Sequence, residues 1–322
     1  MRLGLYLMGL VVFLWGSMPL CAQSWPNRPV RIVAPFTPGG PVDLVGRISA
    51  QRLSILLGQP FLVDNRGGAG GIIGTEIVAK APPDGYTLLF TTGSHASNPA
   101  YVKKLPYDTI KDFSPVTMIG KNYGQVYVIH PSIPVRSVRQ FIGFSKSHPG
   151  QMTYGANGTG NITYIAAELL KSMAGIQLLE IQYKGTGPVV TDLLGGHLDT
   201  AFVAPQSTMP LIQSGKLRAI GMTGLKRWSV MPEVPTFDES GLKGYNLIGW
   251  FAFWFPGAVP VDIVNRLQGE IAKMVHEPEM KKRFEDIGLI VDGSKSSDFA
   301  QFVADDMAFN LTLAKKIGVQ PQ

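Results

Sequence analysis

The sequence predicts an α/β fold in which helices cover the faces of β-sheets. Most of this prediction rests on two glycine-rich crossings, by which we mean segments where a strand passes through a loop into a helix. In residues 30–53 a β-branched run leads through Gly39 and Gly40 into an amphipathic stretch. In residues 152–175 a short strand leads through a glycine-rich loop into a second amphipathic stretch. Because strand and helix alternate in this way along the chain, we expect mostly parallel sheets.

The periodicity of the apolar residues places the other elements in the same alternation. Short runs rich in β-branched and aromatic residues predict strands at 30–34, 61–65, 87–91, 125–130, 152–154, 179–183, 200–203, 219–222 and 248–254. Apolar residues at helical spacing predict helices at 42–57, 72–80, 138–147, 162–173, 187–194, 209–214, 261–276, 279–287 and 297–317. Beyond residue 256 only helical patterns remain, so the tail is expected to be without strands.

Two extended stretches divide this pattern into two units. Residues 120–128 leave the first unit and begin a second βαβ set, and residues 245–255 follow that set. A helical tail cannot form an α/β domain alone, so we expect it to pack on the first unit. The second unit would then be an insertion joined by two crossing strands, the two-lobed (Venus-flytrap) hinge architecture of periplasmic binding proteins. The expected boundaries are 1–24 for a leader, 25–124 plus 250–322 for domain 1, and 125–249 for the inserted domain 2.

The first 24 residues are typical of a secretory signal peptide. A short positive start at Arg2 precedes an apolar run that is too short for the ~20 residues of a membrane span. Ala22 and Ser24 fit a small-x-small cleavage site, so the mature chain is expected to begin near Trp25 in the periplasm. A lipoprotein anchored at Cys21 is the weaker alternative, because Leu20 occupies a position where a small residue is needed.

The composition excludes several classes of protein. The formal charge is +6, but the basic residues are scattered, which argues against a nucleic-acid surface. Cleavage would remove the only cysteine, and the five histidines lie singly without metal-ligand spacing. We therefore expect no metal, no cofactor and no thiol chemistry in the mature protein.

Each glycine-rich crossing predicts an anion site. The backbone N–H groups of the loop and the positive end of the following helix point to one spot. Asp43 opens the first helix, where it either caps the helix or contacts the ligand. A dinucleotide site at residues 67–74 is disfavoured because Ile73 stands where a third glycine is needed. A nucleoside triphosphate site at the second loop is disfavoured because Asn161 stands where a lysine is needed.

A catalytic alternative depends on two adjacent residues. His95 follows a predicted strand and could face a cleft, where loops often carry function. Ser94 beside it would become a nucleophile only if both side chains converged with an acid such as Asp43. The rival to a binding protein is therefore an exported hydrolase acting on a carboxylate ester or amide. A receptor that feeds a sensor system is a third possibility that the sequence does not separate from transport.

The order and spacing of several blocks resemble the substrate-binding receptors of tripartite tricarboxylate transporters, also called the Bug family. These blocks are WPNRPVRIVAPFTPGGPVD, LGQPFLVDNRGGAGGIIGTEIVAKAPPDGYTLLF, LPYDTIKDFSPV, YKGTGPVVTDLLGGHLD and residues 217–235. The resemblance covers essentially the whole mature chain. It implies two lobes that close on a small carboxylate held by backbone N–H groups and water, and delivery of that ligand to membrane transporter subunits.

The resemblance also implies where the ligand binds. Contacts are expected from the first loop, the second loop and the segment after residue 202. The chain departs from many relatives at Tyr164, where a histidine is frequent, and at Val203, where an aspartate is frequent. Loss of that acid makes an amino acid less expected than a plain carboxylate, such as a dicarboxylate, or an aromatic acid. The predicted ligand-binding residues of this monomeric receptor are Phe36, Thr37, Pro38, Gly39, Gly40, Asp43, Thr92, Ser94, Gly158, Thr159, Tyr164, Phe202 and Val203, with no catalytic residue.

Overall fold

A computed structural model describes residues 25–321, and the predicted signal peptide lies outside them. The strands are β1 (Val30–Ala34), β2 (Phe61–Asn65), β3 (Thr87–Thr92), β4 (Phe113–Asn122), β5 (Val126–Ile129), β6 (Thr153–Ala156), β7 (Leu179–Gln182), β8 (Thr200–Val203), β9 (Arg218–Met222), β10 (Trp250–Pro256) and β11 (Leu289–Val291). The helices are α1 (Pro41–Leu57), α2 (Ile72–Ala79), α3 (Ser94–Tyr101), α4 (Val138–Ser147), α5 (Ile162–Ala174), α6 (Thr186–Leu194), α7 (Pro205–Gln213), α8 (Val261–His276), α9 (Pro278–Asp286) and α10 (Ser296–Lys316). No helix of this described part is both long and apolar enough to cross a membrane.

The strands form two separate sheets, which define a first and a second lobe. The first sheet has the order β11-β4-β10-β3-β1-β2 and the second has the order β7-β6-β8-β5-β9. Only β1 with β2 and β3, and β6 with β7 and β8, pair in parallel. The prediction of mostly parallel sheets is therefore wrong. Strands β4, β5 and β10, which adjoin the crossings between the lobes, run antiparallel to their neighbours.

Strand β10 shows how the core of the first lobe is built. All seven of its residues are buried, because helices cover both faces of the sheet. Alternate side chains point to opposite faces, so Phe251 and Phe253 join a cluster with α1 and α8. Trp250 and Trp254 join the cluster on the other face with Phe299 of α10.

The two lobes are joined by two segments that lie side by side, and Asn122 ties these segments together. The backbone N–H of Asn122 donates to Gly249 O at 2.9 Å. Its side-chain Oδ1 accepts from the N–H groups of Gly124 at 3.0 Å and Gly249 at 2.7 Å. Gln125 N donates to Thr223 Oγ1 at 2.7 Å and thereby fixes the next strand to the same junction. The predicted two-lobed fold is confirmed.

The C-terminal tail departs from the prediction in two ways. It contains the strand β11, which pairs antiparallel with β4, so the tail is not purely helical. Helix α10 also reaches both lobes: Phe299 packs in the first, whereas Leu313 and Ala314 pack in the core cluster of the second. A helix of 21 residues is about 31 Å long, which is enough to bridge two lobes.

His95 lies in the core of the first lobe and not in the cleft. Its ring packs 4.6 Å from Phe113 and 4.5 Å from Trp254, between ring centroids. Nε2 lies 3.1 Å from Thr109 O, and Nδ1 has no hydrogen-bond partner among the described residues. Burial lowers the pKa of His95 from 6.5 to about 4, so the ring is neutral at neutral pH.

We expect the Asn122→Ala substitution to lower the free energy of unfolding by about 2 kcal/mol, because two buried N–H groups lose their acceptor. Urea unfolding of the mature protein measures this. The matched control is Asn265→Ala on the exposed side of α8, which should stay within about 0.5 kcal/mol of the wild type. Equal effects of the two substitutions would contradict the role of Asn122 at the junction.

Protonation of His95 is expected to destabilise the protein in acid. Because the pKa of His95 is about 4 in the folded protein and 6.5 otherwise, the unfolded chain takes up the proton first. The contribution of neutral His95 to the free energy of unfolding is fully present above pH 6.5, and about 3 kcal/mol of it is lost by pH 4. The stability difference between wild type and His95→Gln should therefore shrink between pH 7 and pH 4. The exposed His197→Gln control should show no such change, and parallel pH profiles for all three proteins would refute this assignment.

Candidate functional site

A cavity of about 170 Å³ lies between the two lobes and ends at the junction that joins them. The first lobe contributes Phe36, Gly40, Pro41, Val42, Thr92, Gly93, Ser97 and Phe251, and the second contributes Asn157, Asn161, Ile162, Thr163, Ile165, Thr186 and Ala204. The junction contributes Asn122, Gln125, Asn246, Leu247, Ile248, Gly249 and Trp250, and α10 contributes Asp306, Phe309 and Asn310. The site is therefore built by both lobes, their connections and the C-terminal helix.

Five helices begin at this cavity. The lining includes the cap or first-turn residues of α1, α3, α5, α6 and α7. The N-cap residues of α1, α3, α6 and α7 make no side-chain cap bond. Pro41, Pro188 and Pro205 have no N–H, and Ser94 N donates to Thr92 Oγ1 at 3.4 Å, so the other N–H groups of these first turns are the ones left for an acceptor. Only α5 has a side-chain cap, from Asn161 Oδ1 to the N–H of Thr163. Aligned helix dipoles and free N–H groups favour a negative charge in the space between them.

Side-chain amides add donors at the junction. The Oδ1 atom of Asn122 is occupied by two backbone N–H groups, which leaves its buried Nδ2 without a partner. A Cβ at Gly249 would lie only 2.9 Å from Asn122 Nδ2 and 3.1 Å from Gln125 Nε2. Gly249 therefore leaves room for both amides to reach the cavity.

Asp306 is the only ionisable side chain among the described lining residues. Its Oδ2 accepts a hydrogen bond from Trp250 Nε1 at 3.1 Å. Burial raises the pKa of Asp306, and the bond from Trp250 and the charge of Lys121 oppose that rise. Sequence reasoning missed Asp306 because the tail was treated as a helix that only packs on the core.

The predicted residues of the first loop divide into two groups. Phe36 and Gly40 line the cavity, as does Thr92 at the end of β3. The side chains and backbone of the intervening turn do not: Pro38 and Gly39 are exposed, and Thr37 lies against Gly185 of the second lobe. This turn is thus placed at the mouth between the lobes.

Asp43 and Ser94 stabilise the loops that follow β1 and β3. Asp43 Oδ2 accepts from Gly39 N at 3.0 Å, and Oδ1 accepts from Arg47 Nε at 2.8 Å. Ser94 Oγ lies 3.1 Å from Thr92 Oγ1. Asp43 does not cap α1, whose N-cap residue is Gly40; its carboxylate instead fixes the loop that precedes the helix. Neither side chain is part of the cavity lining.

The second glycine loop holds the two lobes against each other. A Cβ at Gly158 would lie 2.3 Å from Gly70 N of the first lobe, and one at Gly70 would lie 3.1 Å from Thr159 O. Ser97 Oγ donates to Gly160 O across the same boundary at 2.5 Å. Gly158 and Thr159 therefore form a contact between lobes and do not line the cavity.

Tyr164, Phe202 and Val203 lie in the core of the second lobe and are not among the residues that line the cavity. Tyr164 packs against Tyr101, Phe202 stacks on Tyr127 with 4.4 Å between ring centroids, and Val203 belongs to the cluster on the opposite face of the sheet. Their sequence neighbours Thr163 and Ala204 line the cavity.

The arrangement required for the hydrolase alternative is not formed. Ser94 contacts Thr92, His95 contacts Thr109 O, and Asp43 contacts the Gly39 N–H, so these three side chains do not converge. Among residues 25–321, no group of three or more His, Cys, Asp or Glu side chains could hold a metal ion. The described cavity residues offer hydrogen-bond donors for an anion, and Ser94, His95 and Asp43 do not form a nucleophile paired with a base.

Comparison with known proteins agrees with this architecture. Protein BugT of Bordetella pertussis is 32% identical over 293 residues, which are 90% of each chain. The structure of R. palustris Rpa4515 with adipate has a TM-score of 0.90 and 33% identity, and the match covers 92% of this chain and all of that one. The structure of MatC from Rhodopseudomonas palustris with bound malate has a TM-score of 0.86 and 28% identity, and the match covers 90% of this chain and 99% of that one.

The family model for receptors of the tripartite tricarboxylate transporter family matches residues 45–319. That range includes every described strand except β1 and the whole of α3, α5, α6 and α7, whose N-termini surround the cavity. The two-lobed fold, the cavity between the lobes and this match agree, and the chain belongs to the tripartite tricarboxylate transporter receptor family.

Proposed function

We propose that this protein is a periplasmic receptor that captures a small carboxylate between its lobes and delivers it to the membrane subunits of a tripartite tricarboxylate transporter. The observation that carries the proposal is the convergence of four uncapped helix N-termini on one cavity. An anion there satisfies N–H groups that the helices leave without partners.

The site can bind a carboxylate without a salt bridge. No lysine, arginine or histidine occurs among the described residues that line the cavity. Hydrogen bonds to a charged group contribute roughly 1.5–3 kcal/mol each, so a few backbone N–H groups and the free Asn122 Nδ2 hold one carboxylate. A water molecule occupies about 10–15 Å³ of such a cavity. The cavity of about 170 Å³ therefore accommodates on the order of ten non-hydrogen atoms.

The contacts between the lobes support a closing motion. Gly158 against Gly70 and Ser97 against Gly160 join the lobes through residues that are separate from the junction near Asn122. Opening about the junction near Asn122 would separate these contacts and admit the ligand. In this proposal the monomer closes on its ligand and presents a surface that the membrane subunits recognise. The lobes are taken as residues 25–124 plus 250–322 and residues 125–249.

The relatives support the class of ligand. The structures of Rpa4515 with adipate and of MatC with bound malate hold small carboxylates in proteins of the same fold. Export to the periplasm follows from the predicted signal peptide and from the family. The protein is proposed to act by binding alone, without catalysis.

A binding screen tests the proposal directly. We expect small monocarboxylates, dicarboxylates or amino acids to raise the unfolding temperature of the purified mature protein, whereas the corresponding neutral amides should not. A true ligand present at 100 times its dissociation constant stabilises the folded state by about 2.7 kcal/mol. Calorimetric titration then measures the affinity. Stabilisation by the amides as well as by the acids would contradict a site built for a negative charge.

The first helix N-terminus gives a sharper prediction. A Cβ at Gly40 would point toward Thr186 across the cavity at 3.8 Å, and the backbone there is extended, so a larger residue can be accommodated in the open form. Gly40→Val should weaken ligand binding at least tenfold and change the unfolding temperature little. Gly269→Val in α8, where a Cβ meets nothing within 4 Å, is the matched control and should bind normally. Unchanged affinity in Gly40→Val would place the ligand away from α1.

A further inference from the structure

The carboxylate of Asp306 lies in a cavity whose other polar groups favour negative charge. It is the only ionisable group among the described lining residues, and its Oδ2 is held by Trp250 Nε1 at 3.1 Å. No hydrogen bond to Oδ1 and no ion pair to either oxygen is formed within the described chain. An acceptor oxygen is therefore left for a group that enters the cavity.

The nearest cation does not neutralise Asp306 directly. Lys121 Nζ lies over the ring of Phe302, 4.3 Å from its centroid, and forms no salt bridge with Asp306. Asp306 is half-buried, and a carboxylate that has lost part of its water without gaining a paired cation is only partly compensated. A cationic ligand group would provide that compensation.

The walls beside Asp306 suit a cation. Trp250, whose Nε1 donates to Asp306, and Phe309 on the same helix as Asp306 both line the cavity, and the faces of aromatic rings attract positive charge. A carboxylate oxygen together with aromatic rings is an environment in which proteins commonly bind ammonium groups. The helix N-termini, by contrast, favour the opposite charge.

We propose that Asp306 makes the receptor selective for carboxylates that also carry a cationic nitrogen, with the nitrogen at Asp306 and the carboxylate at the helix N-termini. This inference rests on the proposed function and names its ligand class. The expectation that an amino acid is disfavoured was based on Val203, but the acid of this cavity comes from a different element, α10.

Pairs of ligands with equal chain length test the proposal. β-Alanine is compared with succinate, 4-aminobutyrate with glutarate, and 5-aminopentanoate with adipate, by calorimetric titration of the mature protein at pH 7.5. In the best-binding pair we expect the amino acid to bind at least tenfold more tightly than the dicarboxylate. Binding of the amino acid should also weaken as the pH falls and Asp306 takes up a proton. The charged and polar side chains that act on Asp306 are Lys121 from β4 and Trp250 from β10, and neither is an acid.

The variant Asp306→Asn keeps an oxygen that can accept from Trp250 Nε1, so it should fold normally. It is expected to lose at least tenfold in affinity for the amino acid and to bind the dicarboxylate as well as or better than the wild type. Asp305→Asn is the matched control: it removes the same charge from the next residue, which is exposed and bonded to Gln301. That control should keep the wild-type selectivity.

The outcomes separate this inference from the function on which it rests. If the wild type binds only dicarboxylates, or if Asp306→Asn keeps the preference for the amino acid, the role of Asp306 is refuted while the carboxylate receptor stands. If neither series binds, the proposed function fails together with this inference. A preference that is lost in Asp306→Asn and kept in Asp305→Asn supports both.

Discussion

Free backbone N–H groups at the starts of four helices are the constraint on which the rest of this structure depends. Buried N–H groups without acceptors are strongly unfavourable, so the space that they face has to hold water or an anion. Helices α1 and α3 belong to the first lobe, and α6 and α7 belong to the second. Neither lobe alone surrounds this space, so the site requires the two lobes to meet.

Glycines allow the lobes to meet closely. At Gly158 a Cβ would lie within 2.3 Å of Gly70 N, and at Gly185 one would lie the same distance from Thr37 Oγ1. Any larger residue at either position would hold the lobes apart and leave the helix N-termini open to bulk water. Gly158 and Gly185 therefore allow the two lobes to approach closely, whereas the anion is bound by the N-termini of the helices.

Local patterns were sufficient to predict most of the fold. The strand at 30–34 and the helices at 138–147 and 261–276 coincide with the structure, because their periodicity is long and regular. Helix α3 was read as a loop since it is short, polar and contains Pro99. Strand β11 has three residues and depends on its pairing with β4, a contact that no local pattern encodes.

The site was less predictable because its residues come together from distant parts of the chain. Gly40 was found because a strand, a glycine and a helix start are adjacent in sequence. Asp306 lies more than 180 residues from the junction residue Asn122 in sequence. It is also part of a helix whose apolar residues predicted only that the helix packs on the core. The same helix packs Phe299 in one lobe and Leu313 in the other, so Asp306 lies between two anchored ends. Recognition at that end of the ligand therefore depends on a helix that packs in both lobes, with Trp250 Nε1 holding the carboxylate of Asp306 in place.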